Sequence, residues 1–518
     1  MRRPLELISQ PDFNATSSNT PSTMPATIGQ RKYVVAHHMV GNTYPYTQSD
    51  WLDDISLAYA AGIDGFALNM GRDDWQTSRV ADAYDAALQS KLDFKLFISL
   101  DMSSFSGSSS QDAHVLRDIV RTYLSHPNQL QYASRAVVST FSGESCTFGQ
   151  DSSAEGWRDQ FVSHPDLIGR LYFVPSFFID PKSFGEYRDV INGDFAWNTG
   201  WPVQLTSSLV QSLISDISSG SISSAVKGIG VVRRLWNSAS SVQDQVQTLL
   251  AKYIGSMTDD KAHLNALAAL GSGTTSVAQQ RRGETERRAY MAPVSPWFFT
   301  HYGPDSYNKN FVYLSDYWLY LKRWESLIAA RDQVDFVELI SWNDYGESHY
   351  VGPIKGAQPN SQAWTNGFDH TAWLNITKYY SAAFKSGSYP PIEADQIYMW
   401  ARPHPANASA SDDPVGPPSN GDLFQDVVWV AVMATRNSTV VLCTDSSLSS
   451  DQQSTFDVPA GLSRLSVPIK PGGIMYGAIR RGNQTLVELR PHEFVFNGSP
   501  TQYNFNVFIA GAQASSQS

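Results

Sequence analysis

Two carboxylates, Asp344 and Glu347, stand three residues apart in the stretch 342–347, which reads Trp-Asn-Asp-Tyr-Gly-Glu. The apolar run 336–340 precedes them, and such a run is typical of a buried strand. Barrel enzymes place carboxylates for acid–base chemistry at the carboxyl ends of their buried parallel strands. The alternative is a capped turn, in which Asp344 accepts backbone hydrogen bonds and Glu347 is solvated. The flanking aromatic residues and the abrupt end of the apolar run favour the catalytic interpretation.

A series of short apolar runs must position this pair. Eight of them alternate with helical patterns, over residues 32–40, 63–70, 94–101, 135–140, 170–177, 194–201, 290–294 and 336–340. The alternation predicts βα units and a parallel sheet, and eight units predict a closed (β/α)8 barrel of the α/β class. No glycine-rich phosphate loop follows the first run, which weighs against a dinucleotide-binding fold.

Polar and aromatic residues recur at or just past the ends of these runs. Besides the carboxylate pair they are His37, Asn69, Asp101, Trp197, Trp201, Trp297, His301, Tyr302, Trp342, Asn343, Tyr345 and His349. The carboxyl ends of parallel strands meet at one face of a barrel, so this set is expected to line one cleft. A single tryptophan at such a place is more often part of the core. The recurrence at several strand ends favours a cleft that binds sugars.

Composition changes along the chain predict further regions. Residues 11–30 are rich in Ser, Thr, Asn and Pro, and the segment 1–31 is predicted to be disordered. The barrel is expected over 32–405, completed by an extended stretch at 392–402. An inserted helical segment at about 205–288 is too long for an ordinary connection and is expected to be dispensable for chemistry. A linker at 406–421 and a small β-sandwich at 422–513 are expected to follow.

The overall charge restricts the partners. A formal net charge of −11 argues against a nucleic-acid partner, because phosphate binding requires a basic surface. The amino-terminal residues contain no apolar stretch typical of a signal peptide, and no segment approaches the ~20 apolar residues that span a membrane. We therefore expect a monomer without membrane attachment that is intracellular or released by a non-classical route.

Five blocks of sequence resemble the motifs of glycoside hydrolase family 71, the fungal endo-α-1,3-glucanases or mutanases. They are residues 37–44, 64–69, 97–101, 291–298 and 342–349, which occur in the family's order. The resemblance runs from about residue 32 to the carboxyl terminus. It implies a (β/α)8 barrel with a C-terminal β-sandwich and endo-hydrolysis of α-1,3-glucan with inversion at the anomeric carbon. It also implies Asp101, Asp344 and Glu347 as the catalytic carboxylates, and no metal or cofactor.

Glycoside hydrolysis requires one protonated carboxyl group for the leaving oxygen and one carboxylate that attacks or activates water. The longer side chain of Glu347 favours it as general acid, with Asp344 as base and Asp101 holding sugar or water. The roles of Asp344 and Glu347 can be exchanged, and Asp101 can be the base, because spacing alone does not assign them. Two other functions stay open, a glycosidase acting on another α-glucan and a weakly catalytic glucan-binding wall protein. The intact carboxylates argue against the second.

Two features depart from the resemblance. Members of the family are often secreted, whereas this sequence shows no signal peptide. The inserted segment at about 205–288 also looks longer than the family's usual connection, which leaves the accessibility of the cleft open.

Overall fold

A computed structural model describes residues 31–219, 242–271 and 287–514. The predicted disordered segment up to residue 30 lies outside this part, as do residues 220–241 and 272–286 of the predicted insertion. Within the described ranges, no helix has the length and apolar character needed to cross a bilayer.

Strands and helices alternate before residue 390, and strands dominate after it. The strands are β1 (Tyr33–Met39), β2 (Gly65–Met70), β3 (Lys95–Asp101), β4 (Gln131–Tyr132), β5 (Arg135–Phe141), β6 (Leu171–Ser176), β7 (Gly193–Phe195), β8 (Ala289–Val294), β9 (Phe299–His301), β10 (Asn310–Val312), β11 (Phe336–Leu339), β12 (Gln396–Ala401), β13 (Val427–Ala434), β14 (Ser438–Cys443), β15 (Ser454–Val458), β16 (Gly461–Pro468), β17 (Tyr476–Arg481), β18 (Gln484–Leu489) and β19 (Phe508–Gln513). The α-helices are α1 (Gln48–Ala60), α2 (Asp74–Ser90), α3 (Ser110–Tyr123), α4 (Ser153–Trp157), α5 (Ser207–Ser219), α6 (Val242–Tyr253), α7 (Asp260–Leu270), α8 (Leu319–Ala329), α9 (Gln362–Thr365) and α10 (Ala372–Ser386).

The eight predicted runs form one parallel sheet in the order β6-β5-β3-β2-β1-β11-β8-β7, and the short β4 joins β5 antiparallel. The sheet curls until its two edge strands approach each other. Asn192, directly before β7, donates its N–H to the Phe173 carbonyl at 2.8 Å and accepts the Phe173 N–H on its side chain at 2.9 Å. The parallel α/β arrangement predicted for this region is thereby confirmed.

The sixth run is shorter than predicted. Only Gly193–Phe195 is a strand, and a 3₁₀ turn at Trp197–Gly200 replaces the rest. The N–H and hydroxyl groups of Thr199 both donate to the Ala196 carbonyl, which closes the turn and takes that carbonyl out of the ladder. The shortened strand leaves Trp197 at the face where the carboxyl ends of the strands meet.

The described part of the insertion is helical, as predicted, and consists of α5, α6 and α7. Arg323 on α8 and Asp260 at the start of α7 form a fully buried ion pair. This ion pair anchors α7 to the sheet domain.

Two four-stranded antiparallel sheets form the carboxyl-terminal region, in the orders β16-β13-β12-β19 and β15-β14-β17-β18. One hydrophobic cluster takes Met399 and Val430 from the first sheet and Val440 and Ile479 from the second. Strand β12 was predicted to complete the barrel, but it pairs with β13 and β19 instead. The reason is that both of its faces are apolar, and it can be buried between the two cores.

Side chains of the sheet domain join it to the carboxyl-terminal region. Trp297 stacks on Phe424 with the ring centroids 5.2 Å apart, and its indole N–H donates to the Phe505 carbonyl at 2.7 Å. The Trp318 indole N–H donates to the Val430 carbonyl at 3.1 Å. These buried contacts hold the carboxyl-terminal sheets firmly against the sheet domain.

Candidate active site

The loop that follows β11 carries the carboxylate pair and is shaped by its own side chains. The backbone N–H of Asp344 donates to Ser341 Oγ at 2.8 Å, and the N–H of Glu347 donates to Asp344 Oδ1 at 3.2 Å. Gly346 lies against the Tyr302 hydroxyl so closely that any β-carbon at position 346 would overlap it. Asp344 therefore caps the loop, and its side chain stays partly exposed.

Glu347 is held by two cationic or hydrogen-bonding groups, one on each oxygen. Lys309 Nζ lies 3.0 Å from Oε1, and His349 Nε2 lies 3.2 Å from Oε2. The other ring nitrogen of His349 lies 3.1 Å from Ser341 Oγ. In contrast, Asp344 Oδ2 is 3.8 Å from His349 Nε2, which is beyond hydrogen-bond distance. The side chains of Asp344 and Glu347 are only 18% and 20% exposed.

These surroundings move the two carboxyl groups in opposite directions. Burial raises the pKa of Asp344; the charge of His349 opposes the rise, and the neighbouring Glu347 carboxylate adds to it. Burial also disfavours ionised Glu347, but the hydrogen bond and charge of His349 and the charge of Lys309 outweigh it and lower the pKa of Glu347 to about 2. Of the two carboxyl groups, Asp344 is therefore the one whose surroundings favour the protonated form, and Glu347 is the one whose surroundings favour the ionised form.

Asp101 ends β3, and its Oδ1 accepts hydrogen bonds from the N–H and hydroxyl groups of Ser103 at 3.0 and 2.6 Å. The charge of Glu347 raises the pKa of Lys309 against the opposing effect of burial, and the charges of Asp344 and Asp101 add to the rise. All three predicted carboxylates thus act on one ammonium group.

The pair and His349 also have the spacing of a metal site. Asp344, Glu347 and His349 each offer one ligand atom, and these atoms lie within 4.8 Å of one another. The ammonium group of Lys309 pairs with the Glu347 carboxylate. The negative charge of Glu347 is therefore balanced by a side chain of the protein itself.

Aromatic rings enclose the deep side of the cluster. The rings of Trp201 and Trp197 lie 5.6 and 6.4 Å from that of His349, and His37 meets Trp197 edge-on at 4.8 Å. His37 is fixed by Glu338 Oε1, which lies 2.8 Å from its Nδ1. The structure therefore brings the rings of His37, Trp197, Trp201 and His349 together and places Tyr302 beside Gly346.

Several predicted cleft residues lie elsewhere. Trp342 packs against Phe66, and Trp297 lies at the junction with the carboxyl-terminal sheets. Burial does not distinguish them from the residues beside the carboxylates, because each of the following predicted side chains is buried: His37, Asn69, Trp201, Trp297, His301, Tyr302, Trp342, Asn343, Tyr345 and His349. Burial is expected for residues this close to strand ends, where the core of the curled sheet is still closely packed.

The polar members of that set have identified protein partners. Asn343 accepts the N–H of Met39 and donates to its carbonyl, which ties the loop to β1. Tyr345 donates to the Pro353 carbonyl at 2.9 Å. His301 lies between Asn310 Oδ1 and Asp413 Oδ2, at 2.8 and 2.9 Å. These three side chains support the loops around the cleft.

Lys309 and Ser341 are the site residues that the sequence interpretation missed. Ser341 immediately precedes the recognised block, and its hydroxyl contacts both Asp344 and His349. Lys309 lies in the hairpin between β9 and β10, seven positions past the predicted site residue Tyr302, and the fold of this hairpin brings it to Glu347. The arrangement is a carboxyl–carboxylate pair with a third carboxylate nearby, which can support acid–base hydrolysis.

The model of the family described as "Glycosyl hydrolase family 71" matches residues 30–224 and 253–518. A protein of Schizosaccharomyces pombe named glucan endo-1,3-alpha-glucosidase agn1 is 36% identical over 92% of this chain and 94% of its own length. A mutanase of Penicillium rubens is 30% identical over 93% of this chain and 89% of its own. An ascus wall endo-1,3-alpha-glucanase of Schizosaccharomyces pombe is 28% identical over 92% of this chain and 96% of its own.

Proposed function

The chain belongs to glycosyl hydrolase family 71, and from this membership we propose that it is an endo-α-1,3-glucanase. The observation that carries the proposal is the largely buried pair of Asp344 and Glu347 on one loop, in which Lys309 and His349 contact Glu347 while Asp344 Oδ2 lies beyond hydrogen-bond distance of His349. These surroundings raise the pKa of Asp344 and lower that of Glu347. Glycoside hydrolysis requires one protonated and one ionised carboxyl group in one cleft. The relatives named as glucan endo-1,3-α-glucosidase and mutanase supply the substrate, α-1,3-glucan.

The proposed architecture is a (β/α)8 barrel with its cleft at the carboxyl ends of the strands and a C-terminal β-sandwich. The bonds between Asn192 and Phe173 support closure of the barrel. The shared cluster of Met399, Val430, Val440 and Ile479 supports a sandwich. We place the boundary between the two before β12, at about residue 395.

Asp344 is proposed as the general acid in place of Glu347, which its side-chain length had favoured. Its Oδ2 is outside hydrogen-bond distance of His349, so it can carry the proton that the leaving glycosidic oxygen needs. Burial and the adjacent Glu347 carboxylate keep the pKa of Asp344 raised. An acid is more effective when its pKa lies near the working pH, and a raised pKa serves that purpose.

Asp101 is proposed as the general base for inversion. An inverting pair of carboxyl groups is separated by ~6.5–9.5 Å so that a water molecule fits between them. Asp344 and Glu347 have ligand atoms within 4.8 Å of each other, which leaves too little room. Asp101 comes from β3, three strands away from β11 across the curled sheet. Glu347 then stabilises positive charge at the anomeric carbon and keeps Asp344 protonated.

Lys309→Met is expected to move the pH profile of kcat/KM to higher pH. The charge of Lys309 lowers the pKa of both Glu347 and Asp344, so its removal raises both. The alkaline limb reports the loss of the Asp344 proton, and the acid limb reports the protonation of Glu347. Both limbs therefore shift to higher pH. Lys309→Arg should preserve the profile, and Lys470→Met, which removes an exposed lysine far from the cleft, serves as control. An unshifted profile for Lys309→Met would show that the ammonium does not act on the pair.

The function is tested by incubation with insoluble α-1,3-glucan beside starch, dextran and β-1,3-glucan, with identification of the linkages in the products. We expect soluble oligosaccharides of several lengths from α-1,3-glucan and little from the others. NMR of the early products should show the β-anomer first, because inversion of an α-linkage yields it. Hydrolysis of starch or dextran with α-1,3-glucan untouched would establish a different α-glucanase. Binding of α-1,3-glucan without product would establish a glucan-binding protein.

A further inference from the structure

Exposed aromatic side chains concentrate at the face of the sheet where the carboxylates lie. Among the described residues, five aromatic side chains are exposed: Tyr44, Tyr59, Phe178, Tyr307 and Tyr389. Tyr44, Phe178 and Tyr307 follow the carboxyl ends of β1, β6 and β8. Tyr59 ends α1 and Tyr389 follows α10, so both lie toward the opposite face, because the helices run back along the strands. Three of the five exposed rings therefore follow strand ends at the face that bears the carboxylates, where a ligand of the site would meet them.

Two of these rings flank the carboxylate pair. β11, which leads into Asp344 and Glu347, is hydrogen-bonded between β1 and β8. Tyr44 follows the first of these strands and is 66% exposed, and Tyr307 lies in the hairpin beyond the second and is 58% exposed. Thus one exposed ring stands on each side of the loop that bears the catalytic candidates.

Both rings belong to loops that are tied directly to the site. Tyr44 is two residues from Asn42, whose side-chain N–H donates to the carbonyl of Asn343 at 2.9 Å. Tyr307 is two residues from Lys309, whose Nζ is 3.0 Å from Glu347. Two residues span at most about 7 Å of chain, so each ring lies within the reach of a few sugar units from the pair.

Each exposed ring is also held in place by an inner ring. Tyr44 meets Trp75 edge-on, with the centroids 5.1 Å apart and an angle of 87° between the rings. Tyr307 meets Tyr302 at 4.8 Å and 73°. An edge-to-face contact fixes the outer ring while one of its faces is free to stack on a flat, partly apolar partner. The apolar face of a pyranose ring is such a partner.

We infer that Tyr44 and Tyr307 form two sugar-stacking subsites, one on each side of the cleavage point, which hold a glucan chain across the site. The inference rests on the proposed function. It adds the residues that would cause the enzyme to cleave within the glucan chain rather than at its end. A chain held on both sides of the pair is cut within its length, whereas a chain held on one side is cut near an end. The occupant is an α-1,3-linked glucan, because the rings lead directly to carboxylates that act on that chain.

The test measures binding separately from hydrolysis. Asp344→Asn protein is mixed with insoluble α-1,3-glucan, and the bound fraction is measured by co-sedimentation. Adding Tyr44→Ala or Tyr307→Ala should weaken binding about tenfold each, the effect of a lost aromatic contact of ~1.4 kcal/mol. Adding Tyr44→Phe or Tyr307→Phe should retain binding, because the stacking face stays. Tyr59→Ala, which removes a 44% exposed ring toward the opposite face, is the matched control.

The same substitutions in the otherwise unchanged enzyme should shift the products. Loss of either ring should reduce the release of longer oligosaccharides from α-1,3-glucan relative to Tyr59→Ala. If the parent protein cleaves and binds the glucan but both alanine variants match Tyr59→Ala, the inference is wrong and the proposed function stands. If the parent neither binds nor cleaves α-1,3-glucan, both are wrong.

Discussion

Asp344→Asn is expected to lower kcat on α-1,3-glucan by at least about 10²–10⁴-fold, the usual contribution of a general acid or base. The amide cannot donate a proton to the leaving oxygen, although it can still accept the Glu347 N–H that shapes the loop. Rates on insoluble glucan and thermal unfolding curves measure the effect. Asp332→Asn is the matched control. Asp332 is an exposed carboxylate that precedes β11, whereas Asp344 follows this strand.

A substrate whose leaving group needs no proton distinguishes the role of the acid from that of the base. An α-fluoride of an α-1,3-linked glucose disaccharide needs no proton on departure, so Asp344→Asn should lose far less activity on it than on glucan. Asp101→Ala should be slow on both substrates, and added azide should restore its turnover and yield a β-glycosyl azide. Near-full glucan hydrolysis by Asp344→Asn would show that Asp344 is only a turn cap.

Glu347→Gln provides a second check of the same assignment. Removal of the neighbouring negative charge lowers the pKa of Asp344, since Glu347 is one of the groups that raise it. The alkaline limb of the pH profile should then move to lower pH, beside a large loss of rate. Loss of the alkaline limb would mean that Glu347, rather than Asp344, carries the proton, and an unmoved limb would show that the Glu347 charge does not act on the acid.

Arg323→Met is expected to destabilise the fold by about 3–5 kcal/mol, the cost of leaving one charge of a buried pair without its partner. The guanidinium binds both oxygens of Asp260, with distances of 2.6 and 2.7 Å, and donates to the Pro293 carbonyl at 3.0 Å. Asp260 Oδ1 also accepts the Tyr290 hydroxyl at 2.6 Å. The midpoint of urea unfolding measures the change, and Asp260→Asn should give a similar loss.

The double variant Asp260→Leu/Arg323→Met should recover much of the loss, because apolar side chains can replace a buried ion pair at little net cost. Asp159→Asn, at an exposed pair with Arg158, should change stability by less than about 1 kcal/mol. Arg323→Met with unchanged stability would mean that the pair contributes nothing.

The stabilisation by the Asp260–Arg323 ion pair also depends on pH. Burial disfavours ionised Asp260, but the charge and hydrogen bonds of Arg323 outweigh it, so the pKa of Asp260 is lowered in the folded state. The stabilisation is therefore complete above the unfolded pKa of about 3.9 and is lost as pH falls through the lower folded value. The insertion at 205–288 remains predicted to be dispensable for chemistry, but a deletion that includes Asp260 should cost stability.

Local pattern allowed most of the sheet to be predicted. The eight apolar runs are bounded by turn residues and separated by helical periodicity, and each of them supplies a strand of the parallel sheet. The position of Asp101, Asp344 and Glu347 at the ends of such runs followed from the same pattern. Strand β12 could not be assigned this way, because an apolar strand is compatible with either sheet until its antiparallel partners are in place.

The sequence by itself determined which residues stand at strand ends and which family the motifs resemble, because both are properties of short contiguous stretches. Only the tertiary structure decided that Trp342 and Asn343 face the interior while Lys309 reaches Glu347. The proposal of Asp344 rather than Glu347 as the acid also draws on the tertiary structure, because a pKa depends on burial and on charges that lie within a few ångströms in space. Lys309 and Glu347 are 38 positions apart in the chain, and no local sequence pattern indicates that they are in contact.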